Sequence, residues 1–217
     1  LCDKILAMVF KNRQEAGKKL AAKLKDFQNK KNLVVLAIPR GGLVVGKKLS
    51  QTLSCPLDII VTKKIGAPGN PELAIGAVGA VGEPVVDEEM AIRVGADEKY
   101  LQKEIASRKA EVKRRIKEYR GDKLPLNLKD KIVIITDDGV ATGATMKAAV
   151  EVVRQQEPKK IIVAVPVTAR DSLKKLEEKA DEVIYLEAPL MFFAVGQFYQ
   201  KFGQTSDKEV KEILKRK

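Results

Sequence analysis

The sequence predicts an α/β fold with a mostly parallel sheet and helices on both faces. Apolar runs rich in β-branched residues recur at 33–38, 132–135 and 160–166, with no polar alternation inside them, the pattern of strands buried on both faces. Helical patterns separate the runs, and parallel strands need such crossovers. Glycines follow two of the runs closely, at 41–42 and at 139 and 143, as loops at a ligand-binding sheet edge would require.

Each element can be justified in turn. Met8 reads as the natural start, with 1–7 an N-terminal extension whose Asp3 and Lys4 spoil a signal-peptide pattern. From 12 to 24, Ala16, Leu20, Ala21 and Leu24 fall at helical spacing with lysines elsewhere on the turn, a one-sided surface helix. The run at 33–38 leads through Pro39-Arg40-Gly41-Gly42 into a helix over about 44–53, placing a guanidinium and two side-chain-free amides at a strand's C-terminal end. A plain tight turn would use the same residues. A short strand at 57–62 precedes 63–72, where Lys63 and Lys64 open a segment rich in glycine and proline. Its length predicts an irregular lid or binding loop, with a solvated loop as the bland alternative. Short antiparallel pieces at 74–78 and 84–86 surround the glycines at 79 and 82.

Residues 97–119 predict a charged helical insertion, with a narrow stripe of Leu101, Ile105, Val112, Ile116 and Tyr119. Glu104, Arg108, Glu111, Arg115 and Glu118 around it predict a solvated, salt-bridged face. Acids interrupt the basic residues and aromatic partners are scarce, which argues against nucleic acid as a partner. This exposed helix is also the one hint of a homo-oligomer. Past the central stretch come a helix at 146–155, the strand at 160–166, a helix at 170–179 and a strand at 182–186. Five of the ten aromatic residues follow, Phe192, Phe193, Phe198, Tyr199 and Phe202, as core or as a platform for a planar ligand.

Composition narrows the chemistry. The 217 residues support one substantial core and no linker divides them, so a single domain is expected over 8–217. No window is apolar enough for a membrane span, which with Asp3 and Lys4 predicts a cytoplasmic protein. Cys2 and Cys55 lack metal-like spacing, and Cys55 reads as a small buried apolar residue. The chain has no histidine, which removes histidine-based hydrolases, histidine metal sites and histidine proton transfer together. A net charge of +12 favours anionic ligands.

The most informative stretch is 132–145, a buried strand that ends at Asp137 and Asp138 and continues through Gly139, Val140, Ala141, Thr142, Gly143, Ala144 and Thr145 into a helix. Loop amides and a helix N-terminus there converge on a place for phosphate, with two carboxylates beside it for hydroxyls or a metal. A second phosphate motif competes. Gly41 to Lys48 resembles the phosphate loop of nucleoside triphosphatases, but Lys48 stands where a hydroxyl must hold magnesium, and Leu43, Val44 and Val45 read as a buried helix.

The stretch 132–145 resembles the phosphoribosyl pyrophosphate motif of type I phosphoribosyltransferases: an apolar strand, two acids, a short spacer and Thr-Gly-x-Thr. The resemblance extends to 39–42, 66–77, 164–167, 194–196 and 204–207, as in a group of uncharacterised predicted members. It implies a type I fold with a small hood built from the terminal segments. It implies that Asp137 and Asp138 hold the ribose hydroxyls, and Mg²⁺ mainly through those hydroxyls or water. The 141–145 amides with the Thr142 and Thr145 hydroxyls would cradle the 5′-phosphate. Arg40, Gly41 and Gly42 would form the pyrophosphate loop, where members often carry a non-trans peptide, and Lys63 and Lys64 would begin the flexible lid. The implied reaction is Mg²⁺-dependent transfer of the 5-phosphoribosyl group to a nitrogen nucleophile such as a nucleobase. Purine-salvage members carry an aspartate where this chain has Ala141, so the acceptor stays open. A non-enzymatic sensor that binds the same ligand and contacts nucleic acid is the alternative class.

Overall fold

The computed structural model describes residues 9–215, so the expected extension at 1–7 lies outside it. In chain order the elements are α1 (Arg13–Lys23), β1 (Leu33–Ala37), α2 (Gly42–Leu53), β2 (Leu57–Ile59), β3 (Lys63–Ala67), β4 (Asn70–Val78), β5 (Val85–Val86), α3 (Glu88–Arg93), α4 (Glu98–Arg120), β6 (Ile132–Thr136), α5 (Ala144–Arg154), β7 (Lys160–Val167), α6 (Arg170–Glu177), β8 (Glu182–Glu187) and α7 (Asp207–Lys215).

Five strands form one sheet in the order β2-β1-β6-β7-β8, every pair parallel. Alternate residues of each strand point to opposite faces, and each face has its own helices. Val34, Leu36, Val133, Ile135, Ile161 and Val163 pack under Met146, Ala149, Val150 and Val153 of α5. Leu33, Val35, Ile134 and Ile162 pack under Leu20 and Ala21 of α1 and Val45, Leu49 and Leu53 of α2. Each such side chain removed from water contributes roughly 1.5–3 kcal/mol before entropy is counted, which is why these runs carry no polar residue. Cys55 is half-buried against the second cluster rather than fully enclosed. No helix among the described residues is long and apolar enough to cross a membrane.

The strand order reverses direction at β1 and β6: the chain steps from β1 outward to β2, then returns to the other side of β1 and steps outward through β7 and β8. Loops leaving the carboxyl ends of β1 and β6 therefore sit at the topological switch point, the place where open parallel sheets bind ligands.

Two expectations are overturned. The segment 63–72 is not an irregular loop: β3 and β4 pair antiparallel from Lys63↔Val78 to Ala67↔Asn70, and β5 adds a third strand. The reversal at Pro68-Gly69 works because Gly69 takes φ +70°, a region side chains disfavour. The hairpin rests on α4 and α5, and Ile65, Ile75 and Val78 share one apolar cluster with Val112 and Tyr119 of α4. The triphosphatase alternative also fails. Residues from Gly42 onward are helical with Leu43, Val44 and Val45 buried, so no open loop spans 41–48 to wrap a phosphate.

Candidate active site

Residue-by-residue pairing of β1 with β6, from Leu33↔Ile132 to Ala37↔Thr136, sets the 39–42 and 137–145 loops side by side. The contact is close. A Cβ on Gly42 would sit 2.9 Å from the Asp137 Cα, and one on Gly41 would collide with the Asp138 carboxylate. Glycine is therefore required at both positions by the approach of the other loop. The Pro39–Arg40 peptide is cis, the non-trans bond that the resemblance implied for this loop.

The second loop is stapled to the end of β7. The Val140 N–H donates to Val167 O and the Ala169 N–H donates to Val140 O, each at 2.9 Å. Ser172 Oγ donates to the Ala141 carbonyl at 2.6 Å. Gly143 takes φ +77° and turns the chain into α5, whose N-terminus no side chain caps. Ala141, Thr142, Ala144 and Thr145 are exposed around it. Uncapped N–H groups at an exposed helix start are a ready anion site.

The two carboxylates do different things. Asp137 turns inward, accepting the Asp138 N–H at 2.8 Å and the Gly42 N–H. Its residue keeps a partly accessible face while the carboxyl lies deep in the protein mass. Burial, and then the Asp138 charge, push this carboxyl well above the usual aspartate range, against the pull of those N–H groups and of Arg13. Asp138 turns outward, and Arg13 Nε donates to its Oδ2 at 2.6 Å. Asp137 therefore pins the two loops together, while Asp138 is gripped by Arg13 with its side chain 14% exposed.

Lys63 and Lys64 stand where β3 begins, and with Pro39, Thr62, Arg115 and Thr145 they line a cleft of about 310 Å³. Arg115, expected on a purely solvated face, belongs to this wall. Lys63 Nζ pairs with Glu111 at 2.6 Å and Lys64 Nζ with Glu72 at 2.8 Å. Arg40 does not point into the cleft: its guanidinium is 3.7 Å from Asp207 at the start of α7.

The profile of the phosphoribosyl transferase domain matches residues 8–202. The chain belongs to that family. Two Mycobacterium tuberculosis proteins, from strains CDC 1551 and H37Rv and both provisionally named phosphoribosyl transferases, are 39% identical over 208 residues, 96% of this chain and 47% of theirs. The chain thus spans about half the length of the curated relatives it matches. The crystal structure of TT1426 from Thermus thermophilus superposes with a TM-score of 0.88 at 42% identity, covering 95% of this chain and 98% of that one. A uracil phosphoribosyltransferase of Mycoplasma genitalium is 37% identical over 67 residues, 30% of this chain and 32% of that protein.

In this phosphoribosyltransferase-family chain Lys63, Lys64, Ala144 and Thr145 line the cleft, Gly41 and Gly42 abut Asp138 and Asp137, and the Arg40 guanidinium turns away to Asp207. Sequence reading missed Arg13 and Ser172, and named Tyr199 only within the aromatic cluster, without its contact to Asp138. Tyr199 donates its hydroxyl to the Asp138 carbonyl at 2.6 Å, and burial together with the Asp138 charge drives its own ionisation far up. Asp138 is 125 positions from Arg13 and 61 from Tyr199, so no local pattern could have signalled either contact.

Proposed function

We propose that this crevice binds 5-phosphoribosyl pyrophosphate and transfers its phosphoribosyl group to a nitrogen nucleophile, releasing pyrophosphate. The observation that carries the reading is the adjacency, at the reversal point of the sheet, of an uncapped helix start, an outward carboxylate and a glycine loop with lysines beyond it. Those are the three contacts a 5′-phosphate, a ribose and a pyrophosphate need. The 141–145 amides with the Thr142 and Thr145 hydroxyls hold the 5′-phosphate, and Asp138 accepts from the ribose hydroxyls. The Gly41–Gly42 backbone with Lys63, Lys64 and Arg115 faces the pyrophosphate.

Bond breaking at C1 builds positive charge on the ribose ring and negative charge on the leaving group, so fixed amides and cations on the pyrophosphate side lower the barrier. The Lys64–Glu72 pair is a weak restraint, because Glu72 is almost wholly exposed and its charge is screened by water. Lys64 can therefore exchange Glu72 for a phosphate oxygen at little cost. The β3–β4 hairpin is the lid in this reading, and its closure keeps water from competing with the acceptor.

Magnesium fits the donor set. No group of three or more acidic or cysteine side chains among the described residues forms a self-sufficient cage, and magnesium commonly takes one or two carboxylates with water and substrate oxygens completing its shell. Asp138 would hold it mainly through ligand hydroxyls or water, the inward Asp137 carboxyl being taken up by the Asp138 and Gly42 N–H groups, and the ion would neutralise charge on the pyrophosphate. Ala141 has no proton-accepting side chain, which favours an acceptor nitrogen that ionises without a carboxylate beside it. Uracil belongs in the first panel for that reason and for the partial likeness to the Mycoplasma enzyme.

The test is calorimetric titration of phosphoribosyl pyrophosphate with and without Mg²⁺, followed by pyrophosphate release with a panel of nucleobases. Magnesium-dependent binding and release with one base are expected. No binding overturns the reading, and binding without release from any base makes the site a sensor.

A further inference from the structure

We propose that Arg13 is a positioning residue for Asp138, fixing one carboxylate oxygen so that the other is presented to the ribose hydroxyls. The inference rests on the phosphoribosyl reading above and deepens it, because it assigns the ribose contact to a device contributed by the N-terminal helix.

Arg13 is the first residue of α1, and Asn12 caps that helix by accepting the Glu15 N–H at 3.0 Å. A cation at a helix N-terminus opposes the helix dipole, so helix stability does not account for an arginine here. Its surroundings do. Nε donates to Asp138 Oδ2 at 2.6 Å and Nη1 donates to Gly203 O at 2.7 Å. The guanidinium carbon lies 3.9 Å above the Phe202 ring. Three contacts from separate directions leave the planar fork one orientation, which a lysine's single ammonium could not hold.

The same cluster grips Asp138 a second time. Phe202 stacks on Tyr199 with centroids 5.0 Å apart, and the Tyr199 hydroxyl donates to the Asp138 main-chain carbonyl. Tyr199 is in turn anchored by Phe10 at 5.4 Å. Backbone hydrogen bonds Phe10 N–H to Phe198 O and Gln200 N–H to Phe10 O, both 2.8 Å, tie the chain before α1 to the segment after residue 197. Asp138 is thus held by main chain and side chain from one cationic-aromatic unit built by both ends of the described chain. Gly41 leaves the room for it, since a Cβ there would also come within 2.9 Å of Arg13 Nε.

The arrangement stops short of closing the carboxylate. Among the described residues no donor reaches Asp138 Oδ1, so one oxygen is committed and one is spare. A carboxylate free to rotate would meet a pair of ribose hydroxyls in one orientation among several. Holding it in advance removes that ordering cost from binding.

The experiment compares wild type, Arg13→Ala and Arg13→Lys by calorimetry, each titrated with Mg²⁺ and phosphoribosyl pyrophosphate, and separately with Mg²⁺ and inorganic pyrophosphate, which has no ribose. The expected result is that Arg13→Ala weakens phosphoribosyl pyrophosphate at least tenfold and pyrophosphate less than twofold, with Arg13→Lys recovering part of the loss. Equal losses for the two ligands, as from general damage, would overturn the inference. So would a change within twofold for phosphoribosyl pyrophosphate, or tighter binding, which would make Arg13 a plug. Should Arg13→Ala fail to fold, Arg13→Lys decides alone: it must lose phosphoribosyl pyrophosphate affinity at least threefold more than pyrophosphate affinity. A wild type that binds no phosphoribosyl pyrophosphate removes the functional reading itself, whereas a wild type that binds it and an indifferent Arg13→Ala removes this inference alone.

Discussion

Arg120 meets Asp58 at 3.1 Å with side chains 9% and 10% exposed, and Arg13 meets Asp138 at 2.6 Å with side chains 11% and 14% exposed. By burial and partner type the two pairs are nearly alike. They differ in what is left over. Asp58 Oδ1 also accepts the Ile59 N–H at 2.8 Å and Oδ2 accepts the Leu126 N–H at 3.4 Å, while Arg120 reaches the Ile59 carbonyl at 3.5 Å. Both carboxylate oxygens are used, and the pair joins the end of α4 to the edge strand β2. Asp138 keeps one oxygen that no donor among the described residues reaches. A saturated pair is a fastening, and an unsaturated one at the sheet's reversal point is what the proposed function requires of a ligand contact.

The largest effect expected from this contrast is on stability. Arg120→Ala leaves Asp58 buried without its cation, and breaking a buried pair by removing one partner costs about 3–5 kcal/mol. The urea midpoint should fall accordingly, while the folded fraction binds phosphoribosyl pyrophosphate within twofold of wild type. A selective loss of ligand with the midpoint unmoved would break the comparison, because the fastening would then be part of the site.

Asp138→Asn should do the reverse. The amide oxygen can still accept from Arg13, and Arg13 keeps Gly203 and Phe202, so less than about 2 kcal/mol of stability is expected to go. Phosphoribosyl pyrophosphate affinity should fall at least tenfold in the same titration used for wild type. A thermal midpoint that drops as far as in Arg120→Ala would show that the two pairs are both fastenings.

Asp137 sharpens the contrast within the site through pH. Its folded-state pKa is raised well above the ordinary 3.8, so the folded protein holds a proton that the unfolded chain has given up. Stability is therefore greatest below the unfolded value and falls as pH rises from there through the raised folded value. Asp137→Asn removes the group that ionises. Between pH 4 and neutrality the apo variant should lose less stability than wild type. Parallel thermal-midpoint curves for the two proteins across that range would contradict the inward, desolvated placement of this carboxyl.

Much of this was legible in the sequence, for identifiable reasons. Strands β1, β6 and β7 are buried on both faces, so their composition is unambiguous over every residue. The stretch 137–145 is contiguous, so spacing and context could both be checked. The hairpin was not legible, because the first five residues of β4 are exposed and carry Pro71, which removes the alternation by which a strand is recognised. Residues 144 and 145 read as loop rather than helix for a related reason, since an exposed helix start has no apolar face to show. Arg13, Ser172 and Tyr199 reach the site across long separations, and such contacts follow from topology rather than local pattern. Asp58 in β2 carries a signal that the sequence reading left unused: a carboxylate within a short apolar strand implies a buried partner, here Arg120.

Tyr199→Phe is the smallest change and tests where the grip on Asp138 resides. It deletes one hydroxyl and keeps the rings against Phe10 and Phe202, so stability should fall by about 0.5–1.5 kcal/mol, the usual net worth of a hydrogen bond. The Asp138 side chain keeps Arg13, so affinity for phosphoribosyl pyrophosphate should fall only two- to threefold, well short of Asp138→Asn. If the two variants lose affinity equally, the main-chain tether rather than the guanidinium sets the carboxylate's position. The functional difference between the two ion pairs would then lie in the aromatic cluster behind Arg13, and the spare oxygen would be its consequence.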